Sequence, residues 1–293
     1  MPRPVALVSV AEARHHDSDL PYLVRAFADR GVVADVVDWH EEVDWLSYDT
    51  AIVRSTWDYH RHYDDFLEWV EIVSAMTTLL NPREILRWSS DKGYIAELAD
   101  EGIPCIPTVY VASDRDLEHA MLDGDLLAGD IVVKPTVSAG SNDTERHVNE
   151  PDDARHHIRN LLAAGKAAMI QPYQRFIDDN GETGLLYFDG EFSHAFRKGA
   201  ILATGENVKN GLFVEEDIGS REPTDQELAL GDRVLRFVTA KFDMTPLYAR
   251  VDVVRGSAGV PVVMEVEMVE PSLFLHVAPG SAERFVTAAL ARR

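Results

Sequence analysis

The sequence predicts a three-domain α/β plus α+β architecture: a parallel α/β domain over residues 1–88, a small central α+β domain over 89–173 and an antiparallel domain over 174–293. Three observations predict it. Short apolar runs alternate with amphipathic stretches in the first region, which is the pattern of βαβ units. Strands and helices are mixed in the second. Long alternating segments joined by tight turns dominate the third.

The elements follow in order. PVALVSV is a buried strand, and Ser18 or Asp19 is expected to cap the helix after it, which runs to about Arg30 and stops at Gly31. VVADVVDW and TAIVRST are the next strands. DDFLEWVEIVSAM places Phe66, Leu67, Val70 and Val73 at helical spacing, and TLLN is a fourth strand. SDKGYIAELADEG predicts a helix ending at Gly102. TVYVA, DIVVKP and AAMIQPY are strands, with a helix from Pro151 to Ala164. TGLLYFDGEFSHAFRKGA is a hairpin turning at Asp189-Gly190, a strong turn signal. Residues 225–240 form a helix, a second hairpin follows, and SAERFVTAALARR is the last helix.

Composition narrows the function. Of 293 residues 46% are apolar, enough for a substantial core. Fifty acids against 28 Lys and Arg give a net charge of −22, which disfavours nucleic acid and anionic membrane as partners. The single cysteine, Cys105, allows no internal disulfide and fits a reducing cytoplasm, where a small buried role is expected for it. The N-terminus is not expected to act as a signal peptide, and no uncharged stretch approaches the ~18 residues of a membrane span. No P-loop, dinucleotide fingerprint or nucleophile elbow occurs. The adjacent pairs His15-His16 and His156-His157 lack metal-ligand spacing, because neighbours on a helix point apart.

YARVDVVRGSAGVPVVMEVEMVEPS, residues 248–272, is the most informative stretch. Period-2 alternation puts Ala249, Val251 and Val253 on one face, and Val262, Met264, Val266 and Met268 on one face of the returning strand. The other faces carry Arg250 and Asp252, then Val263, Glu265 and Glu267. Two carboxylates about 5 Å apart repel by roughly 3 kcal/mol at an effective dielectric near 20, so three together call for a cation. An all-oxygen donor set favours Mg²⁺ over zinc. A solvated outer face with scattered acids is the alternative in so acidic a chain.

IVVKPTVSAGSND ends a strand with Lys134 and continues into a loop of small residues, Ser138 to Ser141, whose backbone N–H groups can approach phosphate oxygens. Taken singly, Lys134 and Lys92 (in SSDKGY) are equally compatible with surface lysines.

Together these elements resemble the ATP-grasp ligases, the superfamily of D-alanine–D-alanine ligase and glutathione synthetase, and the resemblance covers most of the chain. It implies a pre-ATP-grasp domain, a central lid and a metal-binding domain, with ATP and Mg²⁺ (two ions, Mn²⁺ as a substitute) as cofactors. Lys92 and Lys134 match the two phosphate-contacting lysines; Gln171-Pro172-Tyr173 matches the adenine linker; Glu182 matches the acid on the ribose hydroxyls. Arg250-x-Asp252, followed thirteen residues beyond Asp252 by Glu265-x-Glu267, matches the arginine and metal ligands. Two positions depart from many relatives: Glu267 stands where Asn is common, and Gln171-Pro172 stands where the linker often has Glu-Lys or Glu-Phe.

The resemblance implies that a carboxylate attacks the γ-phosphate and that an amine-type nucleophile displaces phosphate from the acyl phosphate, releasing ADP. Arg250, Lys134 and Arg197 are the expected catalytic residues. Arg54, Ser55, Lys198, Glu270 and Ser272 are the expected substrate contacts, although RSTWDYH can equally be structural. RSTWDYH, VVKP and MEVEMVEPSLF are most similar to a compact group that includes D-cycloserine synthetase, so intramolecular ring closure is the alternative reaction. A kinase and a non-catalytic nucleotide-binding module are the competing classes. The expected setting is cytoplasmic, with small-molecule partners and a homodimer left open.

Overall fold

The computed structural model describes residues 3–122, 127, 129–200 and 217–293, and it contains three sheets. The first comprises β1 (Val5–Ser9), β2 (Ala34–Asp38), β3 (Thr50–Ser55) and β4 (Thr78–Leu80), in the order β2-β1-β3-β4 and parallel throughout. β1 is buried at every position because helices cover both sides of the sheet, which is why its sequence is continuously apolar. Val5, Leu7 and Ile52 face α1 (Leu20–Asp29), while Ala6, Val8, Ala51 and Val53 face α2 (Tyr63–Met76).

Neither Ser18 nor Asp19 caps α1 through its side chain. The Asp19 carboxylate instead accepts the backbone N–H groups of Leu273 at 2.6 Å, Phe274 at 3.2 Å and Leu275 at 2.8 Å. A local cap gives way to a tertiary contact.

The helix expected over 90–102 begins later, at Tyr94, and ends at Asp100. α3 (Arg83–Ser89) and α4 (Tyr94–Asp100) flank a turn, and Lys92 sits in that turn with its N–H bonded to Thr136 O at 2.9 Å. Asp91 ends α3's extension by accepting from Gly93 N at 2.8 Å, the local side-chain competition that ends helices.

The second sheet has the order β5-β8-β6-β7, from β5 (Val109–Val111), β6 (Asp130–Pro135), β7 (Glu145–Val148) and β8 (Ala168–Pro172). α5 (Asp114–Leu122) and α6 (Pro151–Ala163) accompany it, and Val111, Val133, Ile158 and Ile170 meet in its core. α7 (Phe176–Asn180) leads to the third sheet, ordered β11-β10-β9-β12-β13, with β9 (Glu182–Phe188), β10 (Glu191–Lys198), β11 (Ile218–Ser220), β12 (Tyr248–Arg255) and β13 (Pro261–Glu267). Asp189 and Gly190, at φ 53° and 80°, make the expected two-residue turn. α8 (Asp225–Phe242) starts with a capping box between Thr224 and Glu227 and packs on this sheet through Leu230, Val234 and Val238. α9 (Ser281–Leu290) returns to pack beside α1.

One register detail corrects the simple alternation. Asp252 pairs with Glu265 but Val253 pairs with Val263, so Met264 is an extra residue in β13. This bulge turns Val263 into the core with Val251, Val253 and Val266, and turns Met264 out of it. Cys105 bridges to Val263 at the free edge of β13, half-buried, with its thiol pushed up to about 12 by burial. Among the described residues no helix is long and apolar enough to cross a membrane.

Candidate functional site

A cavity of about 720 Å³ lies where the three sheets converge. Its charged wall is the β12–β13 hairpin. Arg250 stands opposite Glu267, and Asp252 opposite Glu265, on alternate rungs with the Val251–Val266 pair between them. Arg250 donates to Asp252 from Nε at 2.9 Å and from Nη2 at 2.8 Å; Nη2 also meets Glu267, and Nη1 reaches Ser272 O at 3.3 Å.

Two lysines arrive from other elements. Lys92 Nζ lies 3.2 Å from Glu265 Oε1, and Lys134 Nζ, at the end of β6, lies 3.9 Å from Glu265 Oε2. Lys92 also donates to Ser138 O at 2.8 Å and lies 3.1 Å from Ser138 Oγ, so it anchors the small-residue loop. In that loop Gly140 and Ser141 take φ of 61° and 60°, a left-handed conformation that exposes successive N–H groups on one side. On β10 and β9, Lys198 pairs with Glu182 at 2.9 Å.

Burial sets the electrostatics. It opposes ionisation of Glu265, but Lys92, Lys134 and Arg250 outweigh it and hold that carboxyl at about 2. Burial pushes Glu267 up to about 7 against Arg250, with the Glu265 and Asp252 charges adding to the rise. Burial likewise raises Glu182 against the pull of Lys198, and raises Glu270 well above the usual carboxylate range with Glu267 adding to it. Desolvation lowers Lys134 despite Glu265. Five acids and four cations thus share one wall.

Beside this wall the cavity has an apolar slot formed by Ile106, Val132, Pro172, Tyr173 and Met264. Met264 reaches it because of the bulge. Gln171 donates to Thr108 Oγ1 at 2.9 Å, and Arg146 lies 3.4 Å over the Tyr173 ring. At the other end are His16, Ser18, Trp57, Tyr59, Glu270, Ser272, Phe274 and His276.

Of the residues singled out in the sequence, Lys92, Lys134, Gln171, Tyr173, Glu182, Lys198, Arg250, Asp252, Glu265, Glu267, Glu270 and Ser272 line this one cavity. Three do not. Arg54 is fully buried behind the wall, where Nη2 donates to Pro271 O at 2.8 Å and lies 4.0 Å from Asp19. Ser55 is buried against Ser9, with their hydroxyls 2.7 Å apart. Arg197 follows Lys198's strand but alternates to the opposite face, donating to Asp217 at 2.9 Å and Asn180 O at 3.2 Å. Sequence reasoning missed His16, Ser18, Met264 and His276. The available signal for the first two was position: they follow the carboxyl end of β1, where open α/β sheets receive ligands.

Three sheets in this order, with two lysines from other elements facing an Arg-x-Asp and Glu-x-Glu hairpin, define an ATP-grasp enzyme, an ATP-dependent ligase that forms carbon–nitrogen bonds. Residues 5–81 match the family described as D-cycloserine synthetase DcsG, N-terminal domain. Over 291 residues the chain is 35% identical to the cycloserine biosynthesis protein DcsG of Streptomyces lavendulae, covering 97% of each. A crystal structure of D-cycloserine synthetase DcsG superposes with a TM-score of 0.89 at 36% identity, over 98% of this chain and 99% of that one. The chain belongs to the DcsG family of ATP-grasp ligases. A D-alanine–D-alanine ligase from Bacillus anthracis, complexed with ATP, shares the fold at 17% identity and TM-score 0.69, over 99% of this chain and 96% of that one.

Proposed function

We propose that the enzyme activates a small, amino-acid-type carboxylate as an acyl phosphate and couples it to an amine-type nucleophile, releasing ADP and phosphate. The observation that carries this reading is the contact of Lys92 and Lys134 with Glu265 on a strand shared with Glu267.

The donor set of Asp252, Glu265 and Glu267 is all oxygen and lies on one face of two alternate rungs, which fits a hard cation. These residues would hold Mg²⁺, two ions in this reading, with Mn²⁺ able to replace it. Bound there, the cation supplies charge neutralisation at the β- and γ-phosphates.

The protein's own groups do the rest. Lys92 and Lys134 exchange Glu265 for phosphate oxygens, which releases that carboxylate for the cation. The loop at 138–141 offers N–H groups to the same phosphates, and Lys92 fixes its position through Ser138. Glu182 takes the ribose hydroxyls, while Gln171, Tyr173 and Met264 enclose the adenine. Arg250 stabilises charge on the transferred phosphoryl group. Lys198, Glu270 and Ser272 are assigned to the acceptor side. The second sheet, with its own core, is the closing lid, and it excludes water from the acyl phosphate. No protein nucleophile takes part. Arg54 and Arg197 are given no contact with substrate.

Ring closure is the more specific reading, supported by the likeness to D-cycloserine synthetase along the whole chain. In it, the carboxylate and nucleophile belong to one molecule. Ring-opened D-cycloserine is the probe, since hydrolysis of its ring leaves a carboxylate and an aminooxy group. Incubated with ATP and Mg²⁺, a mass loss of one water from one substrate, matched by ADP and phosphate, supports cyclisation. A product joining two substrates supports intermolecular ligation, a stable phospho-product a kinase, and AMP overturns the mechanism. The charge of −22 supports partners other than nucleic acid, and a cytoplasmic setting completes the proposal.

A further inference from the structure

Outside the cavity, the second sheet gathers two buried histidines and an acid. Glu145 and His147 are alternate residues of β7, and His157 projects from α6. His147 Nε2 and His157 Nδ1 are 3.3 Å apart, and Glu145 Oε2 stands 3.8 Å from each. We propose that Glu145, His147 and His157 form a binding site for a borderline transition-metal cation, with Zn²⁺ as its natural probe, that clamps α6 to β7.

Spacing supports this. Around a tetrahedral zinc with bonds of about 2.0–2.1 Å, neighbouring donor atoms stand about 3.3–3.4 Å apart. The two nitrogens already have that separation, and the carboxylate lies slightly beyond it on a half-exposed side chain.

Proton placement supports it independently. His157 Nε2 is 3.1 Å from the backbone O of Asp143, which can only accept. The proton therefore sits on Nε2, and the Nδ1 lone pair accepts from His147 Nε2, a hydrogen bond that a cation between the two nitrogens would replace. Metal-bound imidazoles are oriented in the same way, by donating the second ring N–H to a carbonyl. Burial also lowers the pKa of His157, with Glu145 opposing, a shift toward the neutral form that a ligand requires.

Among the described residues, in the other histidine–acid group of comparable compactness both carboxylate oxygens are already engaged. There Asp58 accepts from Trp39 Nε1 at 2.9 Å through one oxygen and lies 2.6 Å from His40 Nε2 through the other. Two imidazoles and one carboxylate also differ from the all-oxygen hairpin, so the two sites prefer different cations.

Occupancy has a structural consequence. His157 holds the backbone of Asp143, and Lys166 holds its side chain at 2.6 Å, at the end of the loop carrying Ser138 to Ser141. A cation here would stiffen that loop from outside the cavity. The inference stands whether or not the ligase reading does, because it requires no nucleotide.

The test uses the full chain stripped with chelator and titrated without ATP. Zn²⁺ binding is followed by calorimetry, and Co²⁺ binding by the visible absorption of a nitrogen-ligated ion. One equivalent is expected in the wild type and in Glu265→Gln, with a higher melting temperature on loading. His157→Ala should abolish binding, and Glu145→Gln should weaken it at least about tenfold. Circular dichroism checks folding, and Glu145→Gln, at a half-exposed position, decides the matter if His157→Ala fails to fold. No stoichiometric binding in the wild type overturns the site, as does binding unaffected by Glu145→Gln. So does binding that disappears only in Glu265→Gln, which would place the ion at the hairpin.

Discussion

At one end of the cavity, side chains of opposite charge face each other directly: Lys92 and Lys134 meet Glu265, and Arg250 meets Asp252. At the other end, the charged groups stand behind the wall and hold backbone. Asp19 gathers the N–H groups of Leu273, Phe274 and Leu275, and Arg54 holds Pro271 O. Asn81 donates to Tyr248 O at 2.8 Å and Met268 O at 2.9 Å, joining the first sheet to the third. Tyr248 Oη lies 2.8 Å from Val53 O and 2.9 Å from Val269 O. The first arrangement recognises charge by contact. The second fixes the path of residues 269–275, so that Glu270 and Ser272 face the cavity. In the proposed reading a nucleotide is handled by charge and the remaining substrate by position.

The strongest way to break this contrast is at the charged end. Glu265 meets both lysines, so Glu265→Gln removes one donor and their common partner together. Turnover of ATP is expected to fall by about 10²–10³-fold or more, with the fold retained. Measured phosphate release at the wild-type rate would displace the site from this hairpin.

Next comes the positional end. Asp19→Ala leaves three buried N–H groups without an acceptor and Arg54 without its nearest acid, a loss of about 3–5 kcal/mol of stability. Denaturant unfolding measures it. In protein that remains folded, KM for the acid substrate should rise while KM for ATP stays constant. An equal rise in both would mean that the two ends are not separately built.

Lys134→Ala has a smaller expected effect. A charged phosphate contact is worth about 1.5–3 kcal/mol, or roughly 10- to 150-fold in ATP affinity. Removing a buried ammonium held at 3.9 Å from Glu265 should change thermal stability little by comparison. Calorimetric titration that finds ATP affinity unchanged would restrict Lys134 to a structural pairing with Glu265.

The same contrast explains what was legible in the sequence. Asp252, Glu265 and Glu267 were visible because acids at alternate positions of an apolar strand are costly unless they serve a purpose. The parallel first sheet was visible for the same kind of reason, through the period of its apolar residues. Arg54 misled because a long cation at a strand end looks alike whether it faces ligand or backbone; only the tertiary path of Pro271 distinguishes them. Met264 was hidden because a bulge changes parity without leaving a glycine or proline to mark it. β7 was missed since four residues, ERHV, carry too little periodicity. His157 was discounted beside His156, because its partner His147 lies on a different element, ten positions away.

The smallest expected effect concerns Arg197, and it tests whether adjacent residues on one strand divide between the two roles. Lys198 faces the cavity and pairs with Glu182, whereas Arg197 lies on the outer face with Asp217 and Asn180. An ion pair at a partly exposed surface contributes about 0–1 kcal/mol, and neither Asp217 nor Asn180, which Arg197 meets, lines the cavity. Arg197→Ala should therefore leave kcat within about twofold of wild type and lower stability by no more than that surface contribution. Lys198→Ala, measured in parallel, should lower kcat/KM clearly, because it removes the cation paired with buried Glu182. If Arg197→Ala proves the more damaging of the two in steady-state kinetics, the strand presents its other face during turnover. The boundary drawn between contact and support would then have to move to β10.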